Sequence, residues 1–401
     1  MKTAKFIKVT AENNNKYYHM FEQTDGTFKA EYGRVEKTKQ IEIYDMSRWD
    51  EKFREKLKKK YQDVTHLFAD IVTSPGGVLS FSNITNSQVK KLIDILQGYA
   101  NRSIQANYSV SAESVTEIQV AAAQTLVDEI SALVKIGTKA DTINPLLLKL
   151  YTIIPRQMKQ VQTHLFNNIT SDASLKEAEM KIDAEQSTLD VMAGQVALNK
   201  GKKKGATTAP VSMLEAMGLE VEEASASEIA KIKKLLGPNV NQFKSAFKVV
   251  NKKTEAAFKN RVASAKDKKV ELFWHGSRNE NWLNILSTGL LIRPSGAVHT
   301  GSMFGDGIYG ANKAQKSIGY TSHSGSYWAK GSDSRAYLAL FDFHVGNQKI
   351  VTSSCSSLTE RKLKAEGFDS VHAKAGHSLR NDEFIVYNTT AVTVRFIVEI
   401  G

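Results

Sequence analysis

Val270-Glu271-Leu272-Phe273-Trp274-His275-Gly276-Ser277-Arg278 is the stretch that decides how the C-terminal half folds. Its first five residues, mostly apolar and aromatic, predict a strand. The strand runs without a break into His-Gly-Ser. A glycine at a strand end lets a ligand approach backbone amides, because no Cβ stands in the way. By itself the tripeptide is better explained by a capped turn or a satisfied core histidine.

Reading onward, Thr300-Gly301-Ser302-Met303-Phe304-Gly305-Asp306-Gly307-Ile308-Tyr309-Gly310 follows, then Gln315-Lys316-Ser317-Ile318-Gly319-Tyr320. The glycines at 301, 305, 307 and 310 predict room for a flat ligand beside the backbone. The Ser317 hydroxyl and the rings of Tyr309 and Tyr320 are suited to hold such a ligand by hydrogen bond and face stacking. Near the C-terminus Asn381-Asp382-Glu383-Phe384-Ile385-Val386-Tyr387 places a carboxylate at the mouth of an apolar strand. A carboxylate is costly to bury there unless it is paired or used. Further strands are expected over Ala336–Val345 and Val392–Val398, and helices near Glu228–Leu236 and Asn241–Phe258.

Upstream, Lys5–Val9, Tyr17–Phe21 and Phe28–Val35 read as strands separated by Asn13-Asn14-Asn15 and Thr24-Asp25-Gly26. A basic, helix-like stretch follows: Glu51–Lys60 holds six Lys or Arg against two Glu. Most such runs are solvated helix faces. Beyond Ser87 the texture is helical. Val89, Leu92, Ile93, Ile95 and Leu96 form one stripe, and Val115, Ile118, Ala122, Leu126, Ile130 and Leu133 another. Ser114 with Glu117 fits a capping box, and Gly137 a helix C-terminus. A third stripe runs through Leu175, Ala178, Ile182, Leu189, Met192 and Val196. Asn199–Pro210, polar and Lys-rich, reads as a linker.

Bulk properties narrow the function. The 401 residues exceed one ordinary core, so two or three domains are expected. The net charge of +12 favours an anionic partner, nucleic acid before an acidic membrane. No apolar run reaches the roughly 18 residues of a membrane span. The lone Cys355 permits no internal disulfide and points to a reducing compartment. The nine His show no ligand spacing with Cys or acidic residues, so no metal is expected.

In order, then, come Phe-Trp-His-Gly-Ser-Arg, Met-Phe-Gly-Asp-Gly-Ile-Tyr, Lys-Ser-Ile-Gly-Tyr and Glu-Phe-Ile-Val-Tyr. His275 precedes Tyr320 by 45 residues, and Glu383 follows after 63 more. This series closely resembles the catalytic domain of the poly(ADP-ribose) polymerases, in which His, Tyr and Glu form a signature trio. The resemblance implies a multi-domain α+β chain: a small β-rich WGR-like domain (1–84), an all-α regulatory bundle (85–198), a linker (199–210) and a mixed α+β transferase domain (211–401). Leu147–Pro155 and Glu117–Ala121 look like the helical domain. Asn15-Lys16-Tyr17-Tyr18 and Glu31-Tyr32-Gly33-Arg34-Val35 look like the WGR domain, with Tyr32 where the name-giving Trp would stand.

The resemblance implies site roles as well. NAD+ is the substrate, with Glu383, Tyr320, His275 and Lys316 catalytic. Gly276 and Ser317 grip the nicotinamide carboxamide, Tyr309 and Tyr320 sandwich its ring, and His275, Ser277, Asn284 and Arg293 complete the NAD+ contacts. Arg293 stands near Leu291, which occupies a position where many members have Arg. Met303 and Lys316 shape the acceptor side. Tyr32, Arg34, Lys58, Lys59 and Lys60 contact DNA strand breaks, which relieve obstruction by the helical region. Acceptors are proteins, the chain itself included, and the expected location is the nucleus, or the nucleoid or cytoplasm in a prokaryotic or viral source. Single-unit transfer, or a DNA-end-binding scaffold with weak transferase, stays open.

Overall fold

The computed structural model describes residues 1–35, 37–68, 83–203, 212–292, 303–376 and 379–401. These fall into two compact units. One is drawn from 1–76 and 102–199, the other chiefly from 77–101 and 200–401.

In the first unit, alternating side chains build an antiparallel sheet. Its strands are β1 (Thr3–Thr10), β2 (Asn14–Glu22), β3 (Thr27–Arg34), β4 (Gln40–Asp45) and the short β5 (Gln62–Asp63), in the order β4-β3-β2-β1-β5. Period two puts Phe6, Met20 and Phe28 on one buried face. Helix α1 (Trp49–Lys58) crosses that face. Phe53 meets Phe6 edge-on at 4.9 Å, and Trp49 meets Phe28 at 5.2 Å. The turns expected at Asn13 and Gly26 are present, each with positive φ (62° and 80°). β4 lies beyond the strands the sequence predicts, because its Gln-Ile-Glu-Ile pattern is almost wholly exposed.

Helices α2 (Ser87–Asn107), α3 (Glu117–Lys135), α4 (Ala140–Ile153) and α5 (Asp172–Lys203) follow. The box that starts α3 is not Ser114 with Glu117. Residues 112–114 make a separate 3-10 turn, and Thr116 caps the helix with Gln119 instead. The shift has a cause: Gln119 is buried and also donates to the Ile153 carbonyl at 2.7 Å, a tie Glu117 does not make. At the other end Gly137 (φ 68°) donates to Val134 and Thr138 to Leu133, a Schellman closure. Helix α5 runs on to Lys203, past Asn199 where a linker was expected; residues 204–211 lie outside the described residues.

Within this unit the Asn13–Asn15 turn is a joint and not merely a turn. Buried Asn15 donates to the Arg156 carbonyl at 3.2 Å, and Asn13 accepts from the Val161 amide at 3.1 Å. The Arg156 guanidinium pairs with Glu185, both largely buried, and lies 4.2 Å from the Tyr108 ring centroid.

The second unit contains α6 (Met213–Ala216), β6 (Leu219–Glu223), α7 (Ala226–Leu236), β7 (Phe243–Asn251), α8 (Lys252–Ser264), β8 (Val270–Gly276), α9 (Trp282–Thr288), β9 (Ile308–Gly310) and α10 (Ala314–Ile318). It ends with β10 (Ala336–His344), β11 (Gln348–Val351), α11 (Glu360–Ala365), β12 (Ser370–Ala373), β13 (Glu383–Val386) and β14 (Val392–Ile400). One sheet runs β6-β7-β14-β10-β8, the other β11-β12-β13-β9. The helix expected over Asn241–Phe258 begins only at Lys252. Phe243–Asn251 is a central strand whose Ala246, Phe247 and Val249 are buried, and Asn251 ends it by capping α8.

Leaving a buried arginine unpaired costs about 3–5 kcal/mol. Glu185→Ala should therefore lower the stability of the first unit by about 3 kcal/mol in urea melts of the full chain. Arg156→Met with Glu185→Leu should restore most of it; a single mutant as stable as the parent would contradict the pairing.

Candidate active site

Backbone hydrogen bonds join the two sheets of the second unit at Trp274 and Ala311. Trp274 donates to the Ala311 carbonyl at 2.8 Å, and Ala311 donates back at 2.9 Å. This splice puts β8 beside the end of β9. Nδ1 of His275 then lies 3.0 Å from the Tyr309 carbonyl. A carbonyl only accepts, so Nδ1 carries the proton and Nε2 is left as an acceptor. Burial pushes the His275 pKa down and keeps the ring neutral.

Glu383 opens β13 opposite Ala373, and the next residue, Phe384, pairs with Gly310. Its side chain is 8% exposed. Lys316 from α10 pairs with Oε1, whereas Oε2 is buried and has no hydrogen-bond partner. Burial raises the Glu383 pKa, and the Lys316 ammonium opposes that rise without cancelling it. A carboxylate with one oxygen held and the other bare is prepared to receive a hydroxyl donor.

The charge of this carboxylate reaches both Tyr309 and Tyr320. Burial raises both phenol pKa values, that of Tyr320 to about 12, and the Glu383 charge adds to each. The Tyr309 hydroxyl is already engaged: it donates to Gly305 at 2.7 Å and accepts from Phe304 at 3.1 Å. Its ring therefore remains as the ligand surface. Gly276 and Ser317 are also brought together, so closely that a Cβ on Gly276 would lie 1.9 Å from the Ser317 carbonyl oxygen.

The other glycines have different work. A Cβ at Gly305 would strike the Leu358 carbonyl at 2.3 Å, at Gly307 the Ile385 side chain at 2.5 Å, and at Gly310 Phe273 and Phe343 at 2.8 Å. They admit protein, not ligand. Gly301 and Arg293 lie outside the described residues. Met303 packs with Phe304, Leu358 and Ile385 under the second sheet. Asn284 lies in α9, yet it is Asn281 that donates to the Ser277 hydroxyl, at 3.0 Å, with its own Oδ1 buried and unpartnered. The sequence signal was available: Asn281 stands four residues after Ser277.

The residues expected to meet DNA lie in the first unit. Arg34 is committed elsewhere, donating to Asn13 at 2.8 Å and to the Lys159 carbonyl at 3.1 Å. Tyr32 stacks on Tyr18 and donates to Glu42 at 2.6 Å. Lys52 and Lys56 lie over the rings of Tyr44 and Tyr18. Lys58, Lys59 and Lys60 are exposed, with Lys59 paired to Glu55 at 2.5 Å.

A neutral histidine, a half-held carboxylate and two tyrosines within reach of its charge are chemically suited to a transferase that cleaves NAD+ and passes on ADP-ribose. Residues 226–401 match the model of the poly(ADP-ribose) polymerase catalytic domain. Similar proteins include the poly [ADP-ribose] polymerase-like 100L of Invertebrate iridescent virus 6, 34% identical over 37% of this chain and 80% of the relative. Protein 101L of the same virus is 33% identical over 49% of this chain and 78% of its own length. Poly [ADP-ribose] polymerase 1 of Gallus gallus is 24% identical over 86% of this chain, which spans only 34% of that relative. The chain belongs to the poly(ADP-ribose) polymerase family and is an NAD+ ADP-ribosyltransferase. Among the described residues no helix is long and apolar enough to cross a membrane.

A catalytic role for Glu383 as an anion predicts that activity falls with acid as it protonates, above the pH at which an ordinary glutamate does so. Lys316→Met removes the opposing cation. It should move the acid limb of kcat/KM to higher pH; an unmoved limb would show that the pair does not govern the titration.

Proposed function

We propose that this transferase builds poly(ADP-ribose) on protein acceptors, itself included, and that DNA strand breaks activate it. The observation that carries the catalytic half is the bare, buried Oε2 of Glu383 beside Tyr309 and Tyr320. In this reading the nicotinamide ring lies between the two tyrosines. The Gly276 backbone and the Ser317 hydroxyl hold its carboxamide. His275 Nε2 accepts from the adenosine ribose, with Ser277 and Asn281 alongside.

The ribose–nicotinamide C1′–N bond breaks and nicotinamide leaves with the electron pair. Positive charge grows on the ribose, as in glycoside hydrolysis. Glu383 Oε2 accepts from the ribose 2′-hydroxyl and stabilises that charge. An acceptor hydroxyl then forms the new C1′–O bond, and its proton passes to Glu383 or water. For chain growth the acceptor is itself a ribose hydroxyl, which Glu383 also polarises. Lys316 fixes the orientation of the carboxylate.

Activation rests on charge and on the joint in the first unit. Lys58, Lys59 and Lys60 present exposed cations for phosphates, in contacts that are sequence-independent and salt-sensitive. Asn13 and Arg34 fasten the sheet to the Met158–Val161 segment, so a ligand on the sheet acts on the helical region. A DNA-bound enzyme would reside with DNA, in the nucleus of a cellular source.

Nicked or open-ended DNA should raise nicotinamide release, and closed circular DNA should not; equal rates without DNA would refute activation. Glu383→Gln should cut NAD+ cleavage about 100-fold or more. It should cut polymer growth further, read as product length on a gel. Equal losses of both would argue against the second role of the carboxylate.

A further inference from the structure

Two large aromatic side chains stand in solvent beside Tyr320: Tyr327 is 75% exposed and Trp328 59%. Burying such rings is ordinarily favourable, so an ordered exposed pair needs a reason. The loop that holds them is tied down. The amides of Trp328 and Ala329 both donate to the Gly319 carbonyl, at 2.9 and 3.0 Å. Ser324 donates to Asp333, Asp333 donates to Ser322, and Gly331 donates to the Ser326 hydroxyl at 2.7 Å. A Cβ at Gly331 would lie 2.3 Å from the Ser322 carbonyl, so the loop packs on itself.

Its geometry is that of a corner. The Tyr327 and Trp328 rings meet edge to face, 4.6 Å apart at 88°. The indole is near parallel to Tyr320, 6.1 Å away at 20°. The exposed corner is thus continuous with a ring that the Glu383 charge reaches. Cations adjoin it: exposed Arg278 donates to the Ala329 carbonyl at 3.1 Å, and exposed Lys330 follows two residues after Trp328. Aromatic faces flanked by Arg and Lys suit a planar base that carries phosphates better than they suit an apolar peptide.

We propose that Tyr327 and Trp328 form a stacking platform for the adenine of the acceptor, the ADP-ribose unit to which the next unit is added, with Arg278 and Lys330 attending its diphosphate. This rests on the chain-building reading above. The donor NAD+ occupies the pocket around Glu383, and the acceptor approaches from the loop side.

The tryptophans allow a direct test on the full chain. Of the four, Trp49, Trp274 and Trp282 are at most 3% exposed, so iodide should quench Trp328 almost alone. With a non-hydrolysable NAD+ analogue holding the donor site, ADP-ribose should shield that fraction from iodide. Trp328→Phe should remove the quenchable fraction. Tyr327→Ala should weaken ADP-ribose binding about tenfold, the size of one lost stacking contact, and lower the ratio of chain extension to NAD+ hydrolysis. A melting curve matching the parent's checks its fold. No shielding, or parental binding by Tyr327→Ala, overturns the proposal. So does equal shielding by a deoxyadenosine oligonucleotide, which would mark a nucleic-acid platform. An analogue that fails to bind would sink the donor-site reading separately, since the indole still reports on its own surroundings.

Discussion

The site depends on two hydrogen bonds between Trp274 and Ala311. His275 belongs to the five-stranded sheet, while Tyr309 and Glu383 belong to the four-stranded one. Neither sheet holds the catalytic set alone. The splice aligns them, and the packing around it is unforgiving. Gly310 sits against Phe273 and Phe343, and Phe273 stacks on Phe384 at 4.0 Å. Interiors this dense transmit displacement, so a change at Gly310 or Phe273 shifts His275 relative to Glu383.

Given that frame, electrostatics does the rest. A buried carboxylate is expensive, and one cation rarely repays the full cost. Here Lys316 holds one oxygen and leaves the other bare. Two bonds to Oε2 from the protein would make a better-satisfied glutamate and a worse catalyst, because the substrate hydroxyl would then have to displace them. On the proposed mechanism, the unsatisfied acceptor is a cost in the free enzyme that becomes stabilisation when charge develops on the sugar. The neutral His275 follows the same logic. Its proton is fixed toward Tyr309, so its other nitrogen can only accept.

Much of this was legible in the sequence, for a physical reason. Val270–Trp274 and Val392–Val398 are rich in aromatic and β-branched residues and read as strands, and Glu383 at the head of another such strand stands out. What was hidden depended on partners distant in the chain. Phe243–Asn251 has helix-compatible residues and becomes a strand because β6 and β14 pair with it on either side. Thr116 displaces Ser114 as cap because Ile153 needs the Gln119 amide. The glycines of 305–310 look like space for a ligand until Leu358, Ile385 and Phe343 are seen to fill it. Asn281, in the turn just before α9, bonds Ser277, a local contact that composition does not reveal.

The first unit shows how a basic sequence can mislead about which charges are available. Arg34 reads as a phosphate contact, but its guanidinium is spent on Asn13 and on the carbonyls of Met158 and Lys159. Lys52 and Lys56 cover tyrosine rings, and burial lowers the Lys56 pKa. Lys58 and Lys60, exposed at and just after the end of α1, remain available to a polyanion, with Lys59 already half-engaged by Glu55. Arg34 then serves a different purpose. Because it bonds backbone carbonyls of the segment between α4 and α5, the sheet cannot shift without pulling on the helices.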